Sequence, residues 1–341
     1  MNYNRILIRL DAGGRFGLGH LSRCISLVNE FKCNDNIFFI KSDDRKLVED
    51  YTRDNLKVLS QTIFLDQKIN QRDEIAVLHS KYEENTLLIV DHYNASESYQ
   101  EELQRRSMRW LQLDSHAKVN FYATWVMHGS PGATTDLYEP LRRNAETKFL
   151  LGPKYCIIKE QLFSHYSERR VRFKLNKVVI CFGGGNDRGA TLACLRNMRF
   201  DLFQDVEFTV AINQSNPDYK AVLSYQTKGV VKIVSPQDLN QAMLNADLAV
   251  ITPGMMSYEA AFLGLPMLLI TIADNQNINS KAWEETKCAL NIGSIVDVPE
   301  NINNCLLSVK QAPKLLGNMS QNCLNLVDGK GIKRIINEIT K

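Results

Sequence analysis

The stretch DAGGRFGLGHLSRC, residues 11–24, decides how the rest of the chain is read. RILIRL (5–10) before it is short and aliphatic, the pattern of a buried strand. After it Leu21, Cys24, Leu27, Val28 and Phe31 recur at three- and four-residue steps, the pattern of a helix. Between them stand Gly13, Gly14, Gly17 and Gly19, where backbone without Cβ atoms can close on a ligand at the positive end of the helix. His20 is the first titratable side chain on that helix. The loop reads as the chemical end of an active site, with His20, Asp11, Arg23, Gly17 and Gly19 as candidates.

The spacing GxxGxG at Gly14, Gly17 and Gly19 is not the GxGxxG of dinucleotide-binding folds, and no Lys-Ser/Thr follows to make a phosphate-binding P-loop. A Gly-rich turn can also serve close strand–helix packing. The neighbouring His, Asp and Arg favour the chemical reading. A helix N-terminus disfavours an imidazolium, whereas a nearby Asp11 favours it and fixes the tautomer. Either arrangement suits a general base that takes a proton from water.

Outward from this loop, strand and helix patterns alternate. NIFFI (36–40), LLIV (87–90) and RWLQLD (109–114) read as strands, and 44–55 and 96–107 as exposed helices. Such alternation means βαβ units on a parallel sheet. Asp11, Asp91, His92, Tyr93 and Asp114 fall at strand ends, where such sheets form their ligand crevice. Asp91-His92-Tyr93 is either a capped turn or a polar wall for a sugar, with Tyr93 offering a hydroxyl and a flat face.

LLGPKYCII (150–158) leads out of this first domain through Gly152-Pro153. After a basic, aromatic segment the pattern restarts with KVVICF (177–182), VEFTVAI (206–212), VVKIV (230–234), LAVIT (248–252) and PMLLITI (266–272). The expected architecture is α/β and GT-B-like: two doubly wound Rossmann-type domains facing a cleft. Their expected extents are 1–152 for the water-activating domain and 153–330 for the nucleotide-binding domain. A C-terminal helix at 331–341 is expected to pack back on the first domain.

In the second half Gly183, Gly184, Gly185 and Asn186, and Gly254 with Ser257, lie between strand and helix, where backbone N–H groups can hold phosphate oxygens. Glu259 offers a carboxylate for ribose hydroxyls, or is simply an acid favoured by the helix dipole. Asn275 and Gln276 bring two amides to a strand end, for hydroxyl or acetamido groups or for capping the next helix.

With 341 residues, 44% hydrophobic and 23% charged, the chain has the make-up of a globular protein, and its net charge of +3 signals no nucleic-acid partner. No apolar run nears the ~20 residues of a membrane span. The strand pattern begins within the first few residues, which argues against a secretory signal and for the cytoplasm. The eight cysteines form no CxxC pair and read as small buried hydrophobes rather than metal ligands.

DAGGRFGLGHLSRC, LIVDHYNAS, FLLGPKYCIIKEQLF, CFGGGND, SYEAAFLGLP, ADNQ and VDGKGIKRII occur in the order found in the UDP-sugar hydrolases of pseudaminic acid synthesis, and the chain resembles that family over nearly its whole length. Those enzymes remove UDP from UDP-2,4-diacetamido-2,4,6-trideoxy-β-L-altropyranose and are similar in fold to the GT-B N-acetylglucosaminyltransferase of peptidoglycan assembly. The resemblance implies catalysis by His20 and a sugar site lined by Tyr93. It further implies UDP on the 183–186 loop and the 254–259 turn, sugar contacts from Asn275 and Gln276, a nucleotide sugar and water as partners, and no metal or cofactor. One departure stands out: where the family shows a GAGGST-like turn, this chain has TPGMMS (252–257). Pro253 removes a donor, and Met255 and Met256 bring bulk beside the expected diphosphate. A GT-B glycosyltransferase using a UDP-sugar donor and a non-catalytic nucleotide-sugar-binding protein are the alternatives.

Overall fold

Runs of aliphatic residues too continuous to be half-exposed strands dictate sheets covered on both faces, and parallel sheets meet that requirement. The computed structural model describes residues 3–31, 33–183 and 186–341, and of Asn275 the backbone alone. The chain divides into two units, Met1–Lys159 with Gly329–Lys341, and Glu160–Asp328.

The first unit runs β1 (Arg5–Asp11), α1 (Gly19–Phe31), β2 (Asn36–Lys41), α2 (Arg45–Asn55), β3 (Ser60–Phe64), α3 (Gln71–His79), β4 (Thr86–Asp91), α4 (Glu97–Arg105), β5 (Trp110–Leu113), β6 (Trp125–His128), α5 (Thr135–Tyr138) and β7 (Lys148–Leu151). Its seven strands lie in the order β3-β2-β1-β4-β5-β6-β7, and its strand pairs are parallel. Helix starts are marked by side-chain caps: Asp44 accepts from Leu47 N at 3.0 Å, Asn70 from Asp73 N at 2.9 Å and Ser96 from Tyr99 N at 3.3 Å. Each such cap contributes about 1 kcal/mol.

Strand alternation sorts the first unit's core into two layers. Ile6, Ile8 and Leu10 of β1 and Leu87 and Ile89 of β4 pack with Leu21, Cys24, Leu27 and Val28 of α1. Leu7, Leu88 and Val90 point the other way, onto Ile75, Leu78 and Tyr99 of α3 and α4. By that parity Asp91 ends β4 on the α1 face, whereas Asp11 ends β1 on the opposite face.

The second unit runs α6 (Glu160–Phe163), β8 (Lys177–Cys181), α7 (Ala190–Asn197), β9 (Glu207–Ala211), α8 (Tyr219–Thr227), β10 (Lys232–Val234), α9 (Leu239–Asn245), β11 (Leu248–Ile251), α10 (Met255–Phe262), β12 (Met267–Thr271), α11 (Asn277–Glu285), β13 (Ala289–Ser294), α12 (Val298–Gln311) and α13 (Pro313–Leu326). Its six strands have the order β10-β9-β8-β11-β12-β13 and pair in parallel. The basic segment before β8 staples helix ends. Arg169 donates to Phe262 O and Val327 O, and buried Arg172 donates to Ala246 O at 2.8 Å and Leu263 O at 2.6 Å. These are carbonyls at helix C-termini, which lack intrahelical partners.

The chain then returns to the first unit as α14 (Gly331–Thr340), whose Ile332, Ile335 and Ile339 join the layer under α1. Its first residue passes so close to residue 156 that a Cβ on Gly331 would lie 2.0 Å from Cys156 O. Only glycine fits there.

Candidate active site

Both sheets change winding direction at one point, between β1 and β4 in the first unit and between β8 and β11 in the second. Doubly wound sheets open their ligand crevice outside the strand carboxyl ends at such a point. In the first unit the residues there are those of the β1–α1 loop and Asp91.

The loop is tied into a turn. Gly13 N donates to Gly17 O at 3.2 Å, and Arg15 N donates to Asp43 Oδ2 at 2.8 Å. Gly13 has φ +147°, and a Cβ there would strike Asp43 Oδ1 at 2.1 Å, so a side chain is excluded. Gly17, with φ +72°, sits where glycine is favoured, but its would-be Cβ meets nothing within 4 Å, and Gly19 is equally open. At these two positions glycine is therefore not called for by crowding.

His20, 8% exposed, occupies the first turn of α1, and its Nδ1 lies 2.7 Å from Asp91 Oδ1. Arg23, one turn on, donates through Nε to Asp91 Oδ2 at 2.5 Å and through Nη2 to Oδ1. Burial alone would raise the Asp91 pKa. Arg23 first and His20 second overcome it and hold the carboxyl well below its ordinary range. An ionised Asp91 accepts from Nδ1–H, and in the tautomer so selected the lone pair stands on Nε2, which has no partner among the described residues. Arg23 Nη2 also comes within 3.1 Å of Nδ1, but two donors do not bond. They share Oδ1 instead.

The expectation that Asp11 serves His20 is corrected by parity. Asp11 is 4% exposed on the other face, where its Oδ1 accepts from Arg9 Nη1 at 2.6 Å. Arg9 makes a two-pronged pair with Glu74, at 2.6 and 3.1 Å, and Lys41 Nζ lies 2.8 Å from the same carboxylate. Burial works against this charge, but the Arg9 and Lys41 partners push the Glu74 pKa down to about 2. His92 goes the same way as Asp11, its ring edge-on to Tyr99 at 5.2 Å and both its nitrogens buried without a partner among the described residues. Asp11 thus belongs to a buried ion cluster with Arg9, Glu74 and Lys41, and His92 packs on the same face without joining it.

Tyr93 is 65% exposed and stands edge-on to the His20 ring at 4.8 Å and to His116 at 5.3 Å. Arg23 Nη1 donates to Ser115 Oγ at 3.4 Å. Ser115, His116 and, on the next strand end, His128 escaped the sequence reading. The polar strand-end pattern that flagged Asp114 would have found them.

In the second unit the β8–α7 loop turns at Gly183, φ +112°, with open space where a Cβ would stand. Asn186 Oδ1 accepts from Arg188 N at 2.9 Å, and Asp187 accepts from Gly189 N and Thr191 N at 3.1 and 3.0 Å, closing the turn into α7. Gly184 and Gly185 lie outside the described residues, as does the Asn275 side chain. The TPGMMS turn between β11 and α10 is braced from below: Ser257 Oγ donates to Gly254 O at 2.6 Å, and Asn279 Nδ2 donates to Pro253 O. Met255 and Met256 are half-buried in the first turn of α10. Ser257 and Glu259 are enclosed, at 0% and 2% exposure, so Ser257 holds the turn rather than presenting its hydroxyl to a ligand. Gln276 folds its amide oxygen back onto Ile272 N at 2.8 Å, ending β12.

Among the described residues no group of three or more His, Cys, Asp or Glu is arranged to hold a metal ion, and no helix is long and apolar enough to cross a membrane. The eight cysteines are free thiols, seven of them buried.

No protein-family model matches the chain. It is 21% identical over 333 residues to the spore coat polysaccharide biosynthesis protein SpsG of Bacillus subtilis, covering 95% of this chain and 94% of that one. It is 25% identical over 280 residues to an uncharacterized protein of Methanocaldococcus jannaschii, covering 78% of this chain. The match takes in about half, 55%, of that longer relative. Among solved structures, Anabaena HepE in complex with UDP superposes with a TM-score of 0.63 at 15% identity, covering 98% of this chain and 99% of that one. Acinetobacter baumannii MurG superposes with a TM-score of 0.65 at 13% identity, covering 99% of each. The seven- and six-stranded parallel sheets are those of the GT-B architecture, which the chain shares with both.

Proposed function

We propose that the chain hydrolyses a UDP-linked deoxy-diacetamido sugar of the UDP-2,4-diacetamido-2,4,6-trideoxy-β-L-altropyranose type at its anomeric C–O bond. The observation that carries this reading is the His20–Asp91 pair, which leaves Nε2 without a partner among the described residues, in the first turn of the helix that the glycine loop opens. Nε2 takes a proton from water as the water oxygen bonds to the anomeric carbon. The carbon–oxygen bond to UDP breaks with its electron pair going to the β-phosphate oxygen, and attack opposite the leaving group inverts the centre. Asp91 stabilises the imidazolium that forms, and Arg23 keeps Asp91 ionised and in place. Tyr93 is the proposed sugar contact, with the amides of Asn275 and Gln276. Backbone donors around Gly183, Gly184, Gly185, Asn186 and Gly254 are the proposed diphosphate contacts, stabilising the leaving group. The folded α10 encloses Glu259, which argues against its reading as the ribose acid.

The resemblance of the motif order to the UDP-sugar hydrolases supports the choice of water as acceptor. The likeness to SpsG, a polysaccharide biosynthesis protein, favours a second reading in which a sugar hydroxyl replaces water at the same base. Incubation with donor alone in ¹⁸O-labelled water separates them. Rapid UDP release with the label on the sugar carbon supports hydrolysis. Release that waits for an added acceptor establishes the transferase, and label in the UDP phosphate contradicts attack at carbon.

A further inference from the structure

A second imidazole is held by its Nδ1 in the same unit, on a strand end that the mechanism above does not use. β6 ends at His128, whose Nδ1 is 2.6 Å from Tyr138 Oη. Tyr138 Oη in turn donates to Asp114 Oδ2 at 2.5 Å. Asp114 is fixed by the backbone N–H groups of His116 and Ala117 at 3.1 and 2.8 Å. The phenol hydrogen is committed to the carboxylate, so the hydrogen between ring and phenol belongs to Nδ1, and Nε2 keeps its lone pair. Burial outweighs the pull of Asp114 and pushes the His128 pKa down to about 4, so the ring is neutral near pH 7.

The holder is rigid. Tyr138 is fully buried, stacked on Phe121 at 5.6 Å and tilted against Phe149 at 5.5 Å. The held ring is half-buried, and its Nε2 has no partner among the described residues. β4, β5 and β6 are adjacent in the sheet, and their carboxyl ends carry Asp91 with Tyr93, Asp114 with Ser115, and His128. Arg23 links the first two ends, from Asp91 to Ser115, and Tyr93 stands between the rings of His20 and His116. By strand parity Asp114 and His128 turn to the layer of Val126 and Tyr138, opposite His20, so they meet the His20 edge only above the strand ends, where Arg23 and His116 are near enough to act on the His128 ring.

We propose that His128 is a substrate contact of this edge, its Nε2 accepting a hydrogen bond from a hydroxyl or acetamido N–H of the glycosyl group. This rests on the reading that the chain handles a UDP-linked acetamido sugar, and it assigns His128 to the part of that substrate which UDP lacks.

The test compares the KM for UDP-2,4-diacetamido-2,4,6-trideoxy-β-L-altropyranose with the inhibition constant of UDP. In the full chain, His128→Ala is expected to raise KM about tenfold, the loss of one hydrogen bond, with UDP inhibition unchanged. His128→Gln, whose amide oxygen can accept, recovers part of the loss and serves if the alanine variant folds poorly. Tyr138→Phe keeps the imidazole but frees it, and raises KM part way. Constants for the two ligands that stay at wild-type values, or that move together, overturn the inference. If the wild-type chain binds the sugar nucleotide but releases no UDP, hydrolysis fails as a reading, and the same split measured as Kd by calorimetry decides the role of His128. A chain that binds neither ligand overturns both.

Discussion

Asp91 Oδ1 lies 2.7 Å from His20 Nδ1, while the other oxygen of the same carboxylate takes Nε–H of Arg23 at 2.5 Å. The acid reaches the histidine because both stand on the α1 face of the first sheet. Its charge is secured by a guanidinium one helical turn beyond the ring. The arrangement fixes tautomer, ring orientation and local charge together.

Asp91→Asn keeps the shape but loses the charge that holds Nδ1–H. Turnover of the sugar nucleotide is expected to fall by about 10²-fold or more with UDP affinity unchanged, read by steady-state kinetics and calorimetry. Asp91→Ala also strands Arg23 in a buried position, at a cost of about 3–5 kcal/mol in a denaturant titration. Wild-type turnover in the asparagine variant would remove Asp91 from the mechanism.

Acid is expected to weaken the fold before the carboxylates titrate. Burial, reinforced by Arg9, holds the His92 pKa well below the ordinary 6.5, and His128 is pushed down to about 4. The unfolded chain binds protons at these histidines as pH falls through about 6.5 and the folded chain does not. Stability is therefore full above that pH and declines below it, by up to about 1.4 kcal/mol per pH unit for each ring, with the His128 share levelling off near its folded value. His92→Phe keeps a ring edge on Tyr99 and removes two unpartnered nitrogens. Denaturant midpoints at pH 7 and pH 5 are expected to lie closer together in this variant than in the wild type, and an unchanged gap would count against the assignment.

The C-terminal helix depends on one glycine. Gly331→Ala places a Cβ 2.0 Å from Cys156 O, so α14 must shift off the layer it completes. A loss of about 1–3 kcal/mol is expected, seen as a lower denaturation midpoint with faster hydrogen exchange in α1, against which α14 packs. A wild-type midpoint would show that the 155–156 segment yields instead.

Strands with an aliphatic run were legible, because a centrally placed parallel strand is buried on both faces and says so in its composition. β3 (SQTIF), β7 (KFLL) and β13 (ALNIGS) lie at sheet edges, half-covered and mixed in character, and β6 has only four residues, so none carries that signal. The ends of β1 and β4 were recognised as polar, and His20 as the base candidate. Nearness in sequence points to Asp11 as its acid, whereas strand parity sends Asp11 and His92 to one face of the sheet and Asp91 and Tyr93 to the other. Counting alternation from Leu7 and Leu88, which share the far layer, would have made the distinction. Their place in a turn lets Ser257 and Glu259 read as ligand groups, with Glu259 equally a helix-start acid, yet α10 is buried nearly all round, which one turn of sequence does not reveal. The Asp114–Tyr138–His128 chain joins three separate segments, and only the sheet order brings them together.

The most direct test of the central claim is single-turnover UDP release by wild type and His20→Ala, beside calorimetric UDP binding to both. With Nε2 as the base, the variant releases UDP at least about 10²-fold more slowly while binding UDP as the wild type does. Release at the wild-type rate from a correctly folded His20→Ala chain would contradict it.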